Sequence, residues 1–476
     1  MTASRRLALA PLLASLAAGC LVGPDYKRPD APTPAAFKEQ PPPGTWKIAQ
    51  PSDGAVRGKW WEIFGDARLN ALEEKIAVSN QTLKAATSQY LAALDQVRVA
   101  RAAYFPTAGI SAAGTRIRIS ENQPNFASAA RRDYSLFTLQ GQAQWEPDLW
   151  GQVRRSVEQA RATADANAAD LANVALSLQA ELATDYFQLR GLDVQKHLLE
   201  NTLASDADAL QLARVRFNGG VANAVDVAQA DTQYRTVKAQ AIDTGVARAQ
   251  FEHAIATLIG APASTFALPP DATAIALPAV PVAVPSALLE RRPDVAAAER
   301  RAAAANAQIG VAVAAYYPNL TLNASGGFAS GSLGTLLQVP SLLWSLGASA
   351  VETLFDAGRR HALSDQARDL YAAQVATYRQ SVLVAFQEVE DDLAALRILD
   401  EEAQAQTAAV EAARESLSLS SKRYKGGVTT YLEVLTAQTI QLSNERAQAD
   451  VSTRRLLASV QLVKALGGGW REHSEN

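Results

Sequence analysis

Apolar residues recur at coiled-coil spacing along two long stretches of the chain. Residues 359–425 contain neither glycine nor proline, and residues 152–217 are interrupted only by Gly191. Steps of three and four residues place the apolar side chains on one face of a helix. Each stretch therefore predicts a single helix of about 66 residues, on the order of 100 Å long. The apolar positions are Leu171, Val174, Leu178, Leu182 and Tyr186 in the first stretch and Val382, Phe386, Val389, Leu393 and Leu396 in the second.

The two stretches are copies of one another. A constant offset of 207 positions relates Gly151 to Gly358, Gly219-Gly220-Val221 to Gly426-Gly427-Val428, and Gly260 to Gly467. An offset kept without insertion over about 110 residues indicates an internal duplication, because it is far longer than a solenoid period. Each copy predicts a long helix, a glycine turn and a return helix.

Two segments with alternating apolar and polar residues precede each long helix. In Tyr134 to Trp145, apolar residues and glycine alternate with threonine and glutamines. A period of two, with one apolar and one uncharged polar face, predicts a strand with lipid or protein core on one side and water on the other. The predicted strands are 107–119, 134–145, 319–328 and 344–351, in two hairpins with long loops at 120–133 and 330–341.

Four strands are long enough to cross a membrane but too few to close a barrel. Closed barrels begin at about eight strands, and an open edge in lipid leaves backbone groups unpaired. Three chains would supply twelve strands and, with four helices from each pair of helical hairpins, twelve helices. The predicted fold is mainly α, with a trimer that closes a 12-stranded membrane β-barrel and a 12-helix tunnel. The alternative is a soluble pair of β-hairpins packed on the helices.

Proline-rich segments mark the boundaries of the two repeats. Residues 23–51 and 261–285 predict an extended strap and a non-helical band outside the long helices, because proline interrupts helices and central strands. Asp66 is the predicted N-cap of an unbroken helix that ends at Tyr104-Phe105-Pro106, and a second such helix runs from Ser286 to Tyr316-Tyr317-Pro318. The predicted divisions are a signal peptide (1–19), the strap (20–60), the first repeat (61–260), the linker (261–285), the second repeat (286–467) and a tail (468–476).

The N-terminus has the pattern of a secretory signal. Arg5-Arg6 precede a short apolar run that ends in Ala18-Gly19-Cys20, and Cys20 is the only cysteine. This arrangement resembles the bacterial lipoprotein box, which implies lipidation of Cys20 and, with Leu21 following it, the outer membrane. One acyl chain binds membranes only marginally, so we expect a tether and not the main anchor. The alternative is an ordinary signal peptide with a chance cysteine.

Composition and charge argue against several classes of function. The formal net charge is -3, which gives no electrostatic basis for binding nucleic acid. The four histidines are scattered, so we expect no metal site and no metal cofactor. No nucleophile elbow, phosphate-binding loop or Cys/His pair occurs. The sequence therefore does not predict an enzyme.

Five motifs in chain order resemble the TolC-type outer-membrane factors of tripartite efflux pumps, in the lipidated branch that includes OprM-like and NodT-like proteins. This resemblance implies an outer-membrane exit duct formed by a homotrimer, which extends into the periplasm. It also implies docking to a periplasmic adaptor and an inner-membrane pump of the RND type, with drugs, toxic organic compounds or metal ions as cargo. The motifs are Gly19-Cys20 with Gly23-Pro24-Asp25-Tyr26, Trp60-Trp61 with Phe64 and Asp66, the Tyr-x-Pro endings at Pro106 and Pro318, Leu289-Glu290-Arg291-Arg292-Pro293-Asp294, and Arg423-Tyr424-x-Gly426-Gly427-Val428 with Tyr431-Leu432.

The glycine pairs predict the tips of the two helical hairpins. A helix C-terminus favours a left-handed residue, and glycine adopts that conformation with least strain. Basic residues in the last helical turn fit two interpretations: stabilisation of the helix dipole, or contact with the adaptor. The predicted tip and docking residues are Arg216, Gly219, Gly220, Arg423, Tyr424, Gly426 and Gly427, with Arg214, Lys422 and Lys425 alongside.

The resemblance also places the constriction of the closed tunnel just after the second tip. Leu432 matches an apolar ring position and Glu433 an acidic one, while Thr436 stands where an aspartate is common. Asp226 is the equivalent of Glu433 under the 207-residue offset. One hypothesis is that three copies of Glu433 form an acidic ring that attracts cations. The other is that both acids are solvated charges in the first turn of a helix.

Two further functions remain open at this point. The same duct would also suit a type I protein-secretion system, although the lipoprotein box and the Arg-Arg-Pro-Asp stretch argue against it by resemblance. A lipid-anchored coiled-coil spacer or adhesin without a pore is the other alternative. It leaves the amphipathic strands unexplained.

Overall fold

The computed structural model describes residues 21–34, 37–39, 58–120, 122, 133–278 and 291–468. Cys20, the predicted signal peptide and the tail from residue 469 onwards lie outside the described residues, as do residues 279–285 of the predicted linker. The helices are α1 (Ala67–Ser79), α2 (Gln81–Ala102), α3 (Gln152–Asn218), α4 (Ala224–Leu258), α5 (Pro293–Ala314), α6 (Arg359–Lys425) and α7 (Tyr431–Ala465), and the strands are β1 (Thr107–Arg118), β2 (Asp133–Trp145), β3 (Asn319–Ser330) and β4 (Leu342–Val351).

The helical hairpins repeat with the offset seen in the sequence. Helices α3 and α6 each contain 67 residues, and α4 and α7 each contain 35. Their bounds differ by 207 positions throughout. Gly151 and Gly358, which precede the two long helices, have φ values of 84° and 85°. The two copies therefore share backbone geometry as well as sequence.

Gly191 does not interrupt α3. A Cβ atom at this position would lie 2.4 Å from the hydroxyl oxygen of Thr453 on α7, so glycine allows the two helices to approach closely. Most of the predicted coiled-coil positions face the helix interface. Leu182, Tyr186, Val382 and Val389 are fully buried, as expected for seam residues.

The two entry helices differ from the sequence prediction. The predicted helix from Asp66 to Tyr104 breaks at Asn80, whose ψ of 125° is extended. The Asn80 side chain accepts a hydrogen bond from the Leu83 amide at 2.8 Å and donates one to the Leu258 carbonyl at 2.7 Å. Likewise, α5 begins at Pro293 after the non-helical Arg292, which donates to the Ala465 carbonyl at 3.1 Å. Both breaks satisfy carbonyl groups at the ends of the return helices, which lack partners within their own helix.

The chain divides into two compact units, and each repeat contributes to both. One unit comprises residues 1–30, 90–167 and 298–378, and the other comprises residues 31–89, 168–297 and 379–476. The first unit contains the sheet and the first residues of α3 and α6, and the second contains the rest of both helical hairpins.

The sheet of the first unit is antiparallel, in the order β1-β2-β3-β4. Its register gives it two chemically different faces. Ile110 pairs with Gly141, Trp145 with Leu322, and Ala324 with Leu346, all on one apolar face. The opposite face carries serine, threonine, asparagine and glutamine, including Gln142 paired with Ser325. The four predicted strands are thus present, each within two residues of its predicted bounds.

The first residues after the predicted lipidation position are held by the first unit. The Arg155 side chain is only 2% exposed and donates to the carbonyls of Val22 and Gly23 and to the carboxylate of Asp25. The Val22 amide donates to the Trp150 carbonyl at 3.2 Å. Residues 22–25 of the strap are therefore held along the start of α3.

In the second unit, Asp66 is the N-cap of α1, as predicted. Its carboxylate accepts from the Arg68 and Leu69 amides and from Arg190 at 2.9 Å. Arg190 also donates to the carbonyl of Thr273 in the linker. The linker residues that the structure describes (261–278) contain no α-helix and pack against α3, as the prolines predicted.

Candidate functional site

Both predicted hairpin tips have the same capping geometry. At the first tip the Val221 amide donates to the Arg216 carbonyl at 2.9 Å, and at the second the Val428 amide donates to the Arg423 carbonyl at 3.0 Å. Gly220 and Gly427 both have φ of 75°, in the left-handed region that glycine occupies without strain. Gly219 and Gly426 are the residues just before them. The sequence-predicted C-caps therefore have the expected geometry in both repeats.

A small apolar core joins the two hairpins just above the tips. It contains Leu210 and Ala213 from α3, Ala230 from α4, and Tyr431 and Val434 from α7. Tyr424, in the last turn of α6, packs edge-on against Tyr431 with ring centroids 5.5 Å apart. Tyr424, a predicted docking residue, is thus buried between the hairpins.

Arg216 connects the first tip to the second. Its Nη1 donates to the Tyr424 carbonyl at 2.7 Å, and its guanidinium carbon lies 4.6 Å from the centre of the Tyr424 ring. Burial raises the pKa of the Tyr424 hydroxyl, Arg216 lowers it, and Asp226 raises it again. Of these two charged residues, Arg216 is the one in direct contact with Tyr424.

The predicted constriction residues of the second tip lie together on one exposed side of α7. Leu432 is 53% exposed, and Glu433 and Thr436 are also exposed. The Thr436 hydroxyl donates to the Leu432 carbonyl at 2.9 Å, so this hydroxyl hydrogen is already used within the helix. Asp226 occupies the corresponding place on α4, where its amide donates to the Asn223 side chain.

Glu433 has a basic partner within its own hairpin. Its Oε2 lies 3.3 Å from Nη1 of Arg423, and about half of each side chain is exposed. The sequence predicts Arg423 as a docking residue and Glu433 as a constriction residue. The structure brings the two together.

Sequence reasoning missed a group of buried polar side chains near the tips. Asp206 on α3 is fully buried, and among the described residues neither of its carboxylate oxygens makes a hydrogen bond of normal geometry. The hydroxyls of Tyr424 and Tyr431 and Oε1 of Gln438 are likewise buried without a partner in the described part of the chain. Burial raises the pKa of Asp206 to about 6, and the Gln233 side chain opposes this with a smaller effect. Asp206 in turn raises the pKa of Tyr431, after the larger effect of burial.

A sequence signal for Asp206 does exist. Leu199, Leu203, Asp206, Leu210 and Ala213 follow the four-three spacing of a coiled-coil seam, with an acid at a central position. The equivalent residue in the second repeat is Ala413, which is buried. The other repeat fills this seam position with alanine. An ionisable residue there is unusual, because burying a charged side chain is energetically costly.

The described residues contain neither a cluster of side chains suited to a metal ion nor a helix long and apolar enough to cross a bilayer. Cys20, the predicted lipidation site, lies outside them.

Comparison with known proteins identifies similar chains over nearly the full length. A family model described as "Outer membrane efflux protein" matches residues 72–261 and 284–468. The chain is 32% identical over 459 residues to the "Antibiotic efflux pump outer membrane protein ArpC" of Pseudomonas putida, covering 96% of this chain and 94% of that protein. The same values apply to the "Toluene efflux pump outer membrane protein TtgC" of Pseudomonas putida. The solved structure of the outer-membrane channel OprN is 31% identical with a TM-score of 0.84, covering 95% of this chain and 100% of that chain.

Proposed function

The chain belongs to the outer membrane efflux protein family, and from this premise we propose that three copies form the exit duct of a tripartite efflux system. In this proposal a periplasmic adaptor and an RND-type inner-membrane pump deliver cargo to the duct, which conducts it passively to the exterior. The named relatives concern antibiotics and toluene, so we propose small organic compounds as the cargo class. Their names favour efflux over protein secretion.

One observation carries the proposal: the sheet has one continuous apolar face and two edge strands, β1 and β4, that have no second neighbour among the described residues. Leu346 and Trp344 on the apolar face are 74% and 71% exposed in the single chain. Apolar side chains at this exposure need lipid or a partner, and free strand edges need another strand. Three copies joined edge to edge satisfy both requirements and give twelve strands, an even number as in bacterial barrels.

The tips and the N-terminus take their roles from this arrangement. We propose that Gly219, Gly220, Gly426 and Gly427 shape the tips where the adaptor docks, with Arg216 and Arg423 beside them. Leu432, Glu433, Thr436 and Asp226 are proposed to line the periplasmic constriction. A lipid on Cys20 would tether each chain to the outer membrane, next to the strap residues that Arg155 holds. The sequence division into two repeats, strap, linker and tail stays a prediction.

Neighbouring residues on β4 provide a matched test of the duct. Leu346 lies on the apolar face and Ser345 on the polar face. An arginine on a lipid-facing position near mid-bilayer costs about 2–4 kcal/mol, whereas a lumen position tolerates charge. We expect Leu346→Arg to abolish outer-membrane trimers and dye efflux in a deletion strain. Ser345→Arg should still assemble and conduct, with altered ion selectivity in a planar bilayer.

The outcomes separate the duct from a spacer without a pore. If both variants assemble equally, the apolar face does not meet lipid. If purified wild-type protein is a water-soluble monomer that never conducts, the proposed duct is wrong.

A further inference from the structure

Each tip carries an arginine and an acidic residue at equivalent positions, but the two arginines make different contacts. The offset of 207 relates Arg216 to Arg423 and Asp226 to Glu433. Both arginines occupy the same capping position, since each carbonyl accepts from the valine after the glycine pair. Backbone geometry therefore cannot explain a difference between their side chains.

The side chains nevertheless find different partners. Arg216 reaches across to the second hairpin, where it donates to the Tyr424 carbonyl. Arg423 stays within its own hairpin and lies 3.3 Å from Glu433. The copies differ in two ways that fit this choice. Tyr424 is buried between the hairpins, whereas its equivalent Phe217 is 46% exposed, and glutamate is one methylene longer than aspartate.

The acids consequently differ in how much of their charge is compensated. Among the described residues Asp226 has no ion pair, because its equivalent arginine is occupied elsewhere. Glu433 has one. At 3.3 Å the Arg423–Glu433 separation is much shorter than the screening length of about 8 Å in physiological salt, so the two charges largely cancel when seen from the lumen.

We propose that Arg423 is a selectivity-determining residue that masks Glu433, so that the three Glu433 carboxylates do not act as an acidic ring. This inference rests on the proposed duct. An acidic ring selects or binds cations only if its charge is not already neutralised. Exposed ion pairs contribute little to stability, so the mask can be removed without unfolding the tip.

The test measures block of the channel by Mg²⁺. Wild-type protein and variants are reconstituted in a planar bilayer, and the half-blocking Mg²⁺ concentration is determined with Mg²⁺ added on the side of the hairpin tips. Arg423→Gln should lower that concentration by a factor on the order of thirty, the scale of about 2 kcal/mol for a divalent ion and one unit charge at contact distance in water. Arg423→Gln with Glu433→Gln should restore the wild-type value, because the unmasked site is then absent.

Lys425→Gln is the matched control. Lys425 is an exposed cation two residues from Arg423, with no ion pair to Glu433 among the described residues. The Lys425→Gln substitution removes the same charge from the same tip, and we expect the half-blocking Mg²⁺ concentration to stay at the wild-type value.

Three outcomes would contradict the proposal that Arg423 masks the charge of Glu433. Equal gains in block for Lys425→Gln and Arg423→Gln would indicate that the total charge of the tip, and not the pairing with Glu433, controls Mg²⁺ binding. Strong block of the wild type that Glu433→Gln abolishes would show that the ring is already free. Persistence of the gained block in the double variant would place the cation elsewhere. A failure of every variant and the wild type to conduct would instead refute the proposed duct.

Discussion

The buried acid at the hairpin seam gives a prediction with a definite pH dependence. Asp206 is fully buried, with a pKa raised by burial from 3.8 to about 6. When the hairpins separate, the carboxylate returns to water and to its ordinary pKa. A raised pKa means that the packed tip binds the proton more tightly, so packing is favoured at low pH. This stabilisation is present below about pH 4 and is lost as the pH rises through about 6.

The magnitude follows from the two pKa values. Their difference of about 2 corresponds to roughly 3 kcal/mol between pH 4 and pH 8. Asp206→Asn keeps the shape and removes the ionisation, so we expect it to protect the tip at pH 8 and to change little at pH 4. Hydrogen exchange of the amides in 199–213 and 431–442, corrected for the intrinsic pH dependence, measures this opening. Protection at pH 8 should rise by a factor on the order of one hundred.

Two comparisons make the result interpretable. Asp208→Asn, two residues away on the exposed side of α3, removes the same charge and should leave exchange unchanged at both pH values. Asp206→Ala copies the residue of the other repeat, Ala413, and should also lose the pH dependence. The proposed effect of Asp206 is wrong if wild-type tip exchange has no pH dependence, or if Asp206→Asn protects the tip equally at pH 4 and pH 8.

Three further predictions concern local backbone geometry and the strap. Ala357 has φ of 53°, a region that costs non-glycine residues about 1 kcal/mol, so Ala357→Gly should slow thermal inactivation. Gly427→Ala should weaken the second tip by about 1–2 kcal/mol, whereas Gly426→Ala, with ordinary φ, should cost less; equal rates of protease cleavage at the tip would contradict this. Arg155→Met leaves two strap carbonyls without their donor, at about 1–3 kcal/mol each, and should expose residues 21–34 to protease. Arg161→Met, at an exposed position of the same helix, is its control. Equal cleavage of the two variants would show that Arg155 does not hold the strap.

Much of the fold could be predicted because its signals are periodic and local. The 207-residue offset recurs in the helix bounds, and the glycine pairs at 219–220 and 426–427 are the C-caps that their position indicated. Alternation over 134–145 predicted β2 because a strand places successive side chains on opposite faces. The family comparison confirms the resemblance that the motifs indicated.

The breaks at Asn80 and Arg292 could not be predicted in this way. Neither segment around them contains an internal helix breaker before Pro293, and the entry helices looked continuous. Their cause lies about 175 positions away in the chain, at the carbonyls of Leu258 and Ala465. These carbonyls have no partner within their own helices and accept hydrogen bonds from Asn80 and Arg292. Sequence periodicity carries no information on which side chain reaches such a carbonyl.

Local patterns along the chain were sufficient to predict the long helices, the strands, the duplication and the capping of the tips, because these depend on residues that are neighbours in the sequence. The packing of the hairpins, by contrast, brings Arg216 to Tyr424 and Arg423 to Glu433, and it buries Asp206 where no described residue gives it a hydrogen bond of normal geometry. Identical local geometry permits either arginine arrangement. The choice depends on which side chains the packed hairpins bring within a few ångströms, since hydrogen bonds and burial act only over that range.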